Sequence, residues 1–267
     1  MKRKPAVSGQ FYPSSSSALT EQVRGFIQED VEKAHAIGIV SPHAGIMYSG
    51  AVAGAVFSRI RFPGTFVLIG PNHTGMGSPV SIMSSGTWQM PIGELKINED
   101  LAKKMMEHSD IIEEDPLAHA MEHSLEVQLP FILFYSADVS IVPVTMMSDS
   151  LETCRVVGET IAHAVKTARD PVTIVASSDM SHYVSDSTAR VKDRKAVEKV
   201  LALDPEGLYN IIRKEGITMC GFMPVTTMLF AARQLGAKKA ELVRYMTSGE
   251  VSGDYDYVVG YAGMIIR

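Results

Sequence analysis

The strongest constraint on the fold of this chain is a recurring unit, a short apolar run that ends in a polar turn carrying a histidine. Ala36-Ile37-Gly38-Ile39-Val40 runs into Ser41-Pro42-His43, and Thr65-Phe66-Val67-Leu68-Ile69 into Gly70-Pro71-Asn72-His73. Val172-Thr173-Ile174-Val175-Ala176 runs into Ser177-Ser178-Asp179-Met180-Ser181-His182. Short apolar runs of this kind read as strands buried on both faces, as in a parallel sheet under helices. Helical periodicity fills the intervals: residues 18–30, with Leu19, Val23, Phe26 and Ile27 on one face, then 50–60, 99–108, 122–135 with a bend at Pro130, 150–168, 188–202, 205–214 and 224–235. Further strands are predicted at 79–84, 87–97, 140–145, 240–247 and 257–266. No repeat or linker divides the 267 residues. The pattern predicts one three-layer α/β domain over residues 1–267, a mixed β-sheet flanked by helices.

Composition narrows the function classes. Thirty acidic against 25 basic residues give a net charge of −5, the wrong sign for a basic nucleic-acid-binding domain. No apolar run approaches the length of a membrane helix, and polar Ser8-Gly9-Gln10 interrupts the basic start before a signal-like segment forms. Two cysteines, Cys154 and Cys220, are too few for a disulfide framework. A reduced, cytoplasmic protein without a nucleic-acid or membrane partner is expected.

In open α/β sheets, catalytic groups lie beyond the carboxyl ends of the strands. Three imidazoles delivered there suit a metal or acid–base site, because neutral imidazole is a common ligand and titrates near neutrality. Each has a plainer reading: His43 as part of a loop, Asn72-His73-Thr74-Gly75 as a polar turn, Asp179 and His182 as a helix cap. Their joint placement favours a shared site. Cys220, just before an apolar helix, is either a buried inert thiol or a thiolate favoured by the helix dipole; Cys154, inside an amphipathic helix, reads as inert. His119-Ala120-Met121-Glu122-His123 matches the H-x-x-E-H zinc-protease pattern, with Glu198 a conceivable third ligand. That reading leaves the strand-end histidines without a role. His123 and Glu126, three residues apart, are instead expected to face the same rim and support the ligands or contact substrate. Phosphate-loop, nucleophile-elbow and dinucleotide fingerprints are absent.

Several blocks resemble the Memo family: Gly9-Gln10-Phe11-Tyr12-Pro13, Pro42-His43-Ala44-Gly45 with Tyr48-Ser49-Gly50, Gly70-Pro71-Asn72-His73, Glu122-His123-Ser124-Leu125-Glu126-Val127-Gln128-Leu129-Pro130, Ser177 to Tyr183, and the Cys220-Gly221 turn. The resemblance implies a fold like that of class III extradiol ring-cleaving dioxygenases, which are non-haem iron enzymes. It places one metal ion, iron or copper or alternatively zinc, on His43, His73 and Cys220. It puts Asp179 and His182 in the same pocket, His182 as the acid–base group, and Tyr48 at the position of a substrate contact or ligand support. It links the human member to cell motility, phosphotyrosine-peptide binding and copper- or iron-dependent redox chemistry, and prokaryotic members to a neighbouring radical-SAM protein. The ring-cleaving enzymes use two histidines and a carboxylate, whereas the third position here is a thiol, which suits Cu(I), zinc or thiolate-tolerant iron.

The leading expectation is therefore a metal-dependent oxidoreductase, dioxygenase-like in its pocket, acting on an unknown small molecule or peptide, with Asp179 orienting His182. The alternatives are a non-catalytic module that binds a phosphopeptide or another anion on the same scaffold, and a zinc protease built on His119, Glu122 and His123.

Overall fold

Strand side chains alternate between two hydrophobic cores, and this period of two builds the layers. In the computed structural model, which describes residues 1–267, Val67 and Ile69 face one core and Phe66 and Leu68 the other. Val40, Ile174 and Ala176 join the first, Ile39 and Val175 the second. The helices Leu151–Lys166 and Phe222–Gln234 cover the first core with Val157, Ile161, Met228 and Leu229. Ser16–Arg24, Ile46–Phe57 and Leu129–Tyr135 cover the second with Leu19, Val23, Val56, Phe57 and Phe131. The chain is thus a single α/β domain, a 12-stranded mixed sheet between helical layers.

The centre of the sheet is parallel, in the spatial order Ser140–Met146, Thr65–Pro71, Val172–Ser177, Gly38–Ser41. Val258–Ile266 continues it antiparallel, with Ala240–Thr247 beyond it at the edge. The single strand expected at 87–97 is two, Thr87–Met90 and Gly93–Ile97, paired antiparallel as a hairpin. Three short strands were not foreseen, Lys2–Arg3, Glu113–Glu114 and His182–Val184; too few residues alternate in them to give a pattern. No helix is long and apolar enough to cross a membrane.

The expected helix over 122–135 is shorter. A single 3-10 turn covers Glu126–Gln128 and the α-helix starts at Leu129. Pro130 lies in the first helical turn, where its missing N–H costs no hydrogen bond, so it begins the helix and does not bend it. Residues 121–125 are consequently irregular and can turn their side chains independently.

This irregular segment is held by the N-terminus. Arg3, buried against the Trp88 ring at 4.3 Å, donates to the carbonyls of His119 at 3.0 Å and Glu122 at 2.6 Å and ion-pairs with Glu126. Glu126 also accepts from the Tyr12 hydroxyl and from the backbone N–H groups of Ala6 at 2.7 Å and Val7 at 3.1 Å. Glu126, expected to face the site, faces the N-terminal segment instead and is fully buried there. Removing one partner of such a pair strands the other charge in the interior. Arg3→Met is expected to lower unfolding free energy by about 3–5 kcal/mol, read from the denaturant midpoint.

Candidate metal centre

Strand register sets the first part of the site. Ser41 pairs with Ser177, and Ile69 with Ala176, so three adjacent parallel strands end level. His43 and Asp179 each lie two residues beyond that row and His73 three beyond Gly70, so side chains far apart in sequence share one rim. His123 arrives from the irregular segment on the neighbouring loop. The ligand atoms of His43, His73 and His123 lie within 4.8 Å of one another, a group able to hold a metal ion. Their rings make edge or stacked contacts with centroids 4.7–5.6 Å apart.

Hydrogen bonding fixes the tautomers. The Ser177 hydroxyl donates to the Ser124 carbonyl at 2.6 Å, so at 2.8 Å from His43 Nδ1 it acts as acceptor. Nδ1 of His43 therefore carries the proton and Nε2 offers a lone pair. His73 Nδ1 lies 2.9 Å from Glu122 Oε1, an acceptor, so His73 takes the same tautomer. His182 Nδ1 donates to the Thr218 carbonyl at 2.9 Å. A carboxylate or carbonyl behind a ring is the usual way that a metal-binding imidazole is oriented.

Glu122 is the organising carboxylate. It is fully buried and accepts from the backbone N–H groups of His73, His123 and Ser124, the last two at 2.9 and 2.8 Å, besides the His73 ring. Its oxygen also lies 3.5 Å from His123 Nδ1. Burial would raise its pKa, but the His73 ring and the N–H groups outweigh burial and hold it down to about 2. The sequence drew attention to Glu122 only through the protease pattern, and only its spacing to His123 was visible there.

Burial, then the neighbouring His73, His123 and His182 rings, keep the His43 pKa well below its ordinary value. Burial likewise lowers that of His123. Both are neutral near pH 7, the form that binds metals.

Cys220 Sγ lies 3.2 Å from His43 Nε2 and accepts from the Asp179 N–H at 3.3 Å. Its approach depends on Gly221, where a Cβ would meet the Ser177 carbonyl oxygen at 2.2 Å. Of the two readings of Cys220, burial and then the Asp179 carboxylate favour the protonated thiol over the dipole-favoured thiolate, since both push its pKa up. Asp179 does not orient His182. Its Oδ1 accepts from the backbone N–H groups of His43 at 2.8 Å and Ala44 at 3.3 Å, and burial raises its pKa to about 6 despite these bonds. The Thr218 carbonyl orients His182 instead. Tyr48, in the first turn of Ile46–Phe57, packs half-buried beside Val52, Met246 and Tyr261. Cys154 is buried against the Met223 carbonyl, away from this group.

The protease arrangement is not formed. The helix bearing His119 spans only Leu117–Ala120, so the two histidines of the pattern share no helical face. His119 is buried edge-on to Trp88, while His123 turns to His43 and His73.

A family model described as Memo-like protein matches residues 3–265. A MEMO1 family protein of Methanothermobacter thermautotrophicus is 39% identical, over 98% of this chain and 99% of its own. Another, from Methanococcoides burtonii, is 42% identical over 99% of this chain and 100% of its own. Among solved structures, an uncharacterized protein of Escherichia coli K12 superposes with a TM-score of 0.59 at 14% identity, covering 85% of this chain and 98% of that one, a likeness of fold alone.

Glu122→Gln keeps the shape of the side chain but removes the charge behind the His73 ring. It is expected to weaken metal binding about 10–100-fold, measured by competitive chelator titration.

Proposed function

We propose that this chain, which belongs to the Memo-like family, is a metal-dependent enzyme that carries out redox chemistry on a small molecule or peptide. The observation that supports this reading is the set of Nε2 lone pairs, turned inward because each Nδ1 proton of His43 and His73 is engaged by Ser177 and Glu122. His43 and His73 hold the ion. His123, not the expected Cys220, is the third member of the group; Cys220 Sγ lies outside it but beside His43 Nε2, where it would be a further donor. Imidazole with thiol suits iron, copper or zinc far better than magnesium or calcium. When bound, such an ion supplies Lewis acidity and, for iron or copper, electron transfer.

The remaining residues position and move protons. Asp179 secures the backbone at His43 and Ala44, fixing the angle at which the ring enters the site. His182, anchored through Nδ1 to Thr218, offers Nε2 to take or give a proton at bound substrate. Its ring is half-exposed, His123 is partly exposed and His73 is exposed, so the site is open to solvent.

The anion-binding alternative fits less well. An anion receptor needs positive charge, yet His43 and His123 are kept neutral by burial, and the His43 and Ala44 N–H groups are occupied by Asp179. The site's electrostatics favour a cation.

The deciding experiment is metal analysis of protein purified without oxygen. The wild type is expected to carry roughly one equivalent of iron, copper or zinc per chain and His43→Ala/Cys220→Ala nearly none. Equal metal content in the two would overturn the proposal. Tight phosphate binding by chelator-treated wild type would transfer support to the anion module.

A further inference from the structure

Beside the imidazole site, the short strand His182–Val184 pairs with the start of Val258–Ile266, His182 opposite Val259 and Val184 opposite Val258. Tyr183 is the extra residue between these pairs, a bulge, and its φ of 58° is a left-handed conformation that a bulky side chain rarely adopts. A bulge re-aims one side chain. Here it sends the Tyr183 ring into solvent, 75% exposed, with its centroid 5.9 Å from that of His182.

Two further exposed tyrosines lie on the segment that leads into the paired strand. Tyr257, 71% exposed, immediately precedes the paired strand, and Tyr255, 50% exposed, is tied to the other side through its carbonyl, which accepts from the Asp186 N–H. Tyrosine is a preferred residue of binding surfaces because it offers a large rigid face with a polar tip. Because Val184 pairs with Val258, Tyr183 and Tyr257 sit on adjoining backbones, and exposed tyrosines along one edge beside a polar site mark an interaction surface.

Charge identifies the partner. From Met246 to Ile266 the chain carries Glu250, Asp254 and Asp256 and no lysine or arginine. The nearby cation Arg190 is already engaged by Asp186 and Glu250. Asp254 and Asp256 form no ion pair; Asp254 accepts only backbone N–H groups of its own turn, from Asp256 at 2.9 Å and Tyr257 at 3.4 Å. Exposed phenol faces next to free carboxylates complement a lysine or arginine side chain, through cation–π contact and ion pairing together. We propose that the surface formed by Tyr183, Tyr255, Tyr257 and Asp256 docks a basic segment of a polypeptide beside the imidazole site. The inference does not require a metal in that site.

The test uses two fluorescein-labelled decapeptides, one alternating lysine with glycine and one alternating glutamate with glycine, titrated with the full chain and read by fluorescence anisotropy. The lysine peptide is expected to bind at least about 10-fold more tightly than the glutamate peptide at low salt, with the difference shrinking as salt is raised. Tyr183→Ala, Tyr257→Ala and Asp256→Asn should each weaken binding of the lysine peptide about 3-fold or more. Glu32→Gln, the loss of an exposed charge elsewhere, should leave it unchanged, which separates the surface from the protein's overall acidity. Tyr183→Gly, which relieves the backbone, should weaken binding without lowering the denaturant midpoint. Failure of the lysine peptide to bind, equal binding of both peptides, or surface variants that bind like wild type would each overturn the proposal. If Tyr183→Ala fails to fold, Tyr257→Ala and Asp256→Asn carry the test.

Discussion

The site depends on one buried carboxylate. Glu122 has no water to solvate it, and its charge is stable only because the His73 ring and several backbone N–H groups converge on it. The same contacts join two loops that hydrogen bonding within the sheet does not connect, the turn after Thr65–Pro71 and the irregular segment before Glu126. Satisfying one charge therefore orients His73, brings His123 alongside it and anchors the Ser124 N–H. Ser124 in turn receives the Ser177 hydroxyl through its carbonyl, and Ser177 sets the His43 tautomer. Imidazoles from three distant parts of the chain are thus oriented through one connected hydrogen-bond network.

Much of this was legible in the sequence because it follows from strand ends. Apolar runs closed by His43, His73 and His182 indicated parallel strands and a common rim, and the level register of Ser41 and Ser177 explains why the rim is compact. Cys220 was legible as a candidate through its place before a helix, and its sulfur does meet the His43 ring. Its protonation was not, because desolvation depends on the packing of distant segments.

Other parts were hidden for the same physical reason. The roles of Ser177, Glu122 and Thr218 rest on hydrogen bonds across tens of residues, and neither periodicity nor local spacing encodes those. Glu126 shows the converse error. Its spacing to His123 suggests a shared helical face, but the helix begins only at Leu129, so the two side chains diverge, one to the imidazoles and one to Arg3. Pro130 produced that misreading, since a proline can bend a helix or begin one and only tertiary context decides which.

The Arg3–Glu126 contact also has a bearing on the order of folding. Its partners are separated by 123 positions, and closing so long a loop is entropically unfavourable until other contacts have already brought the ends together. The parallel centre faces the same cost, since Gly38 pairs with Ile174 across 136 positions, so the N-terminal latch and the sheet centre both close over long loops. During synthesis Arg3 is therefore without its partner until 123 further residues have been added, and the imidazole cluster cannot assemble much before then.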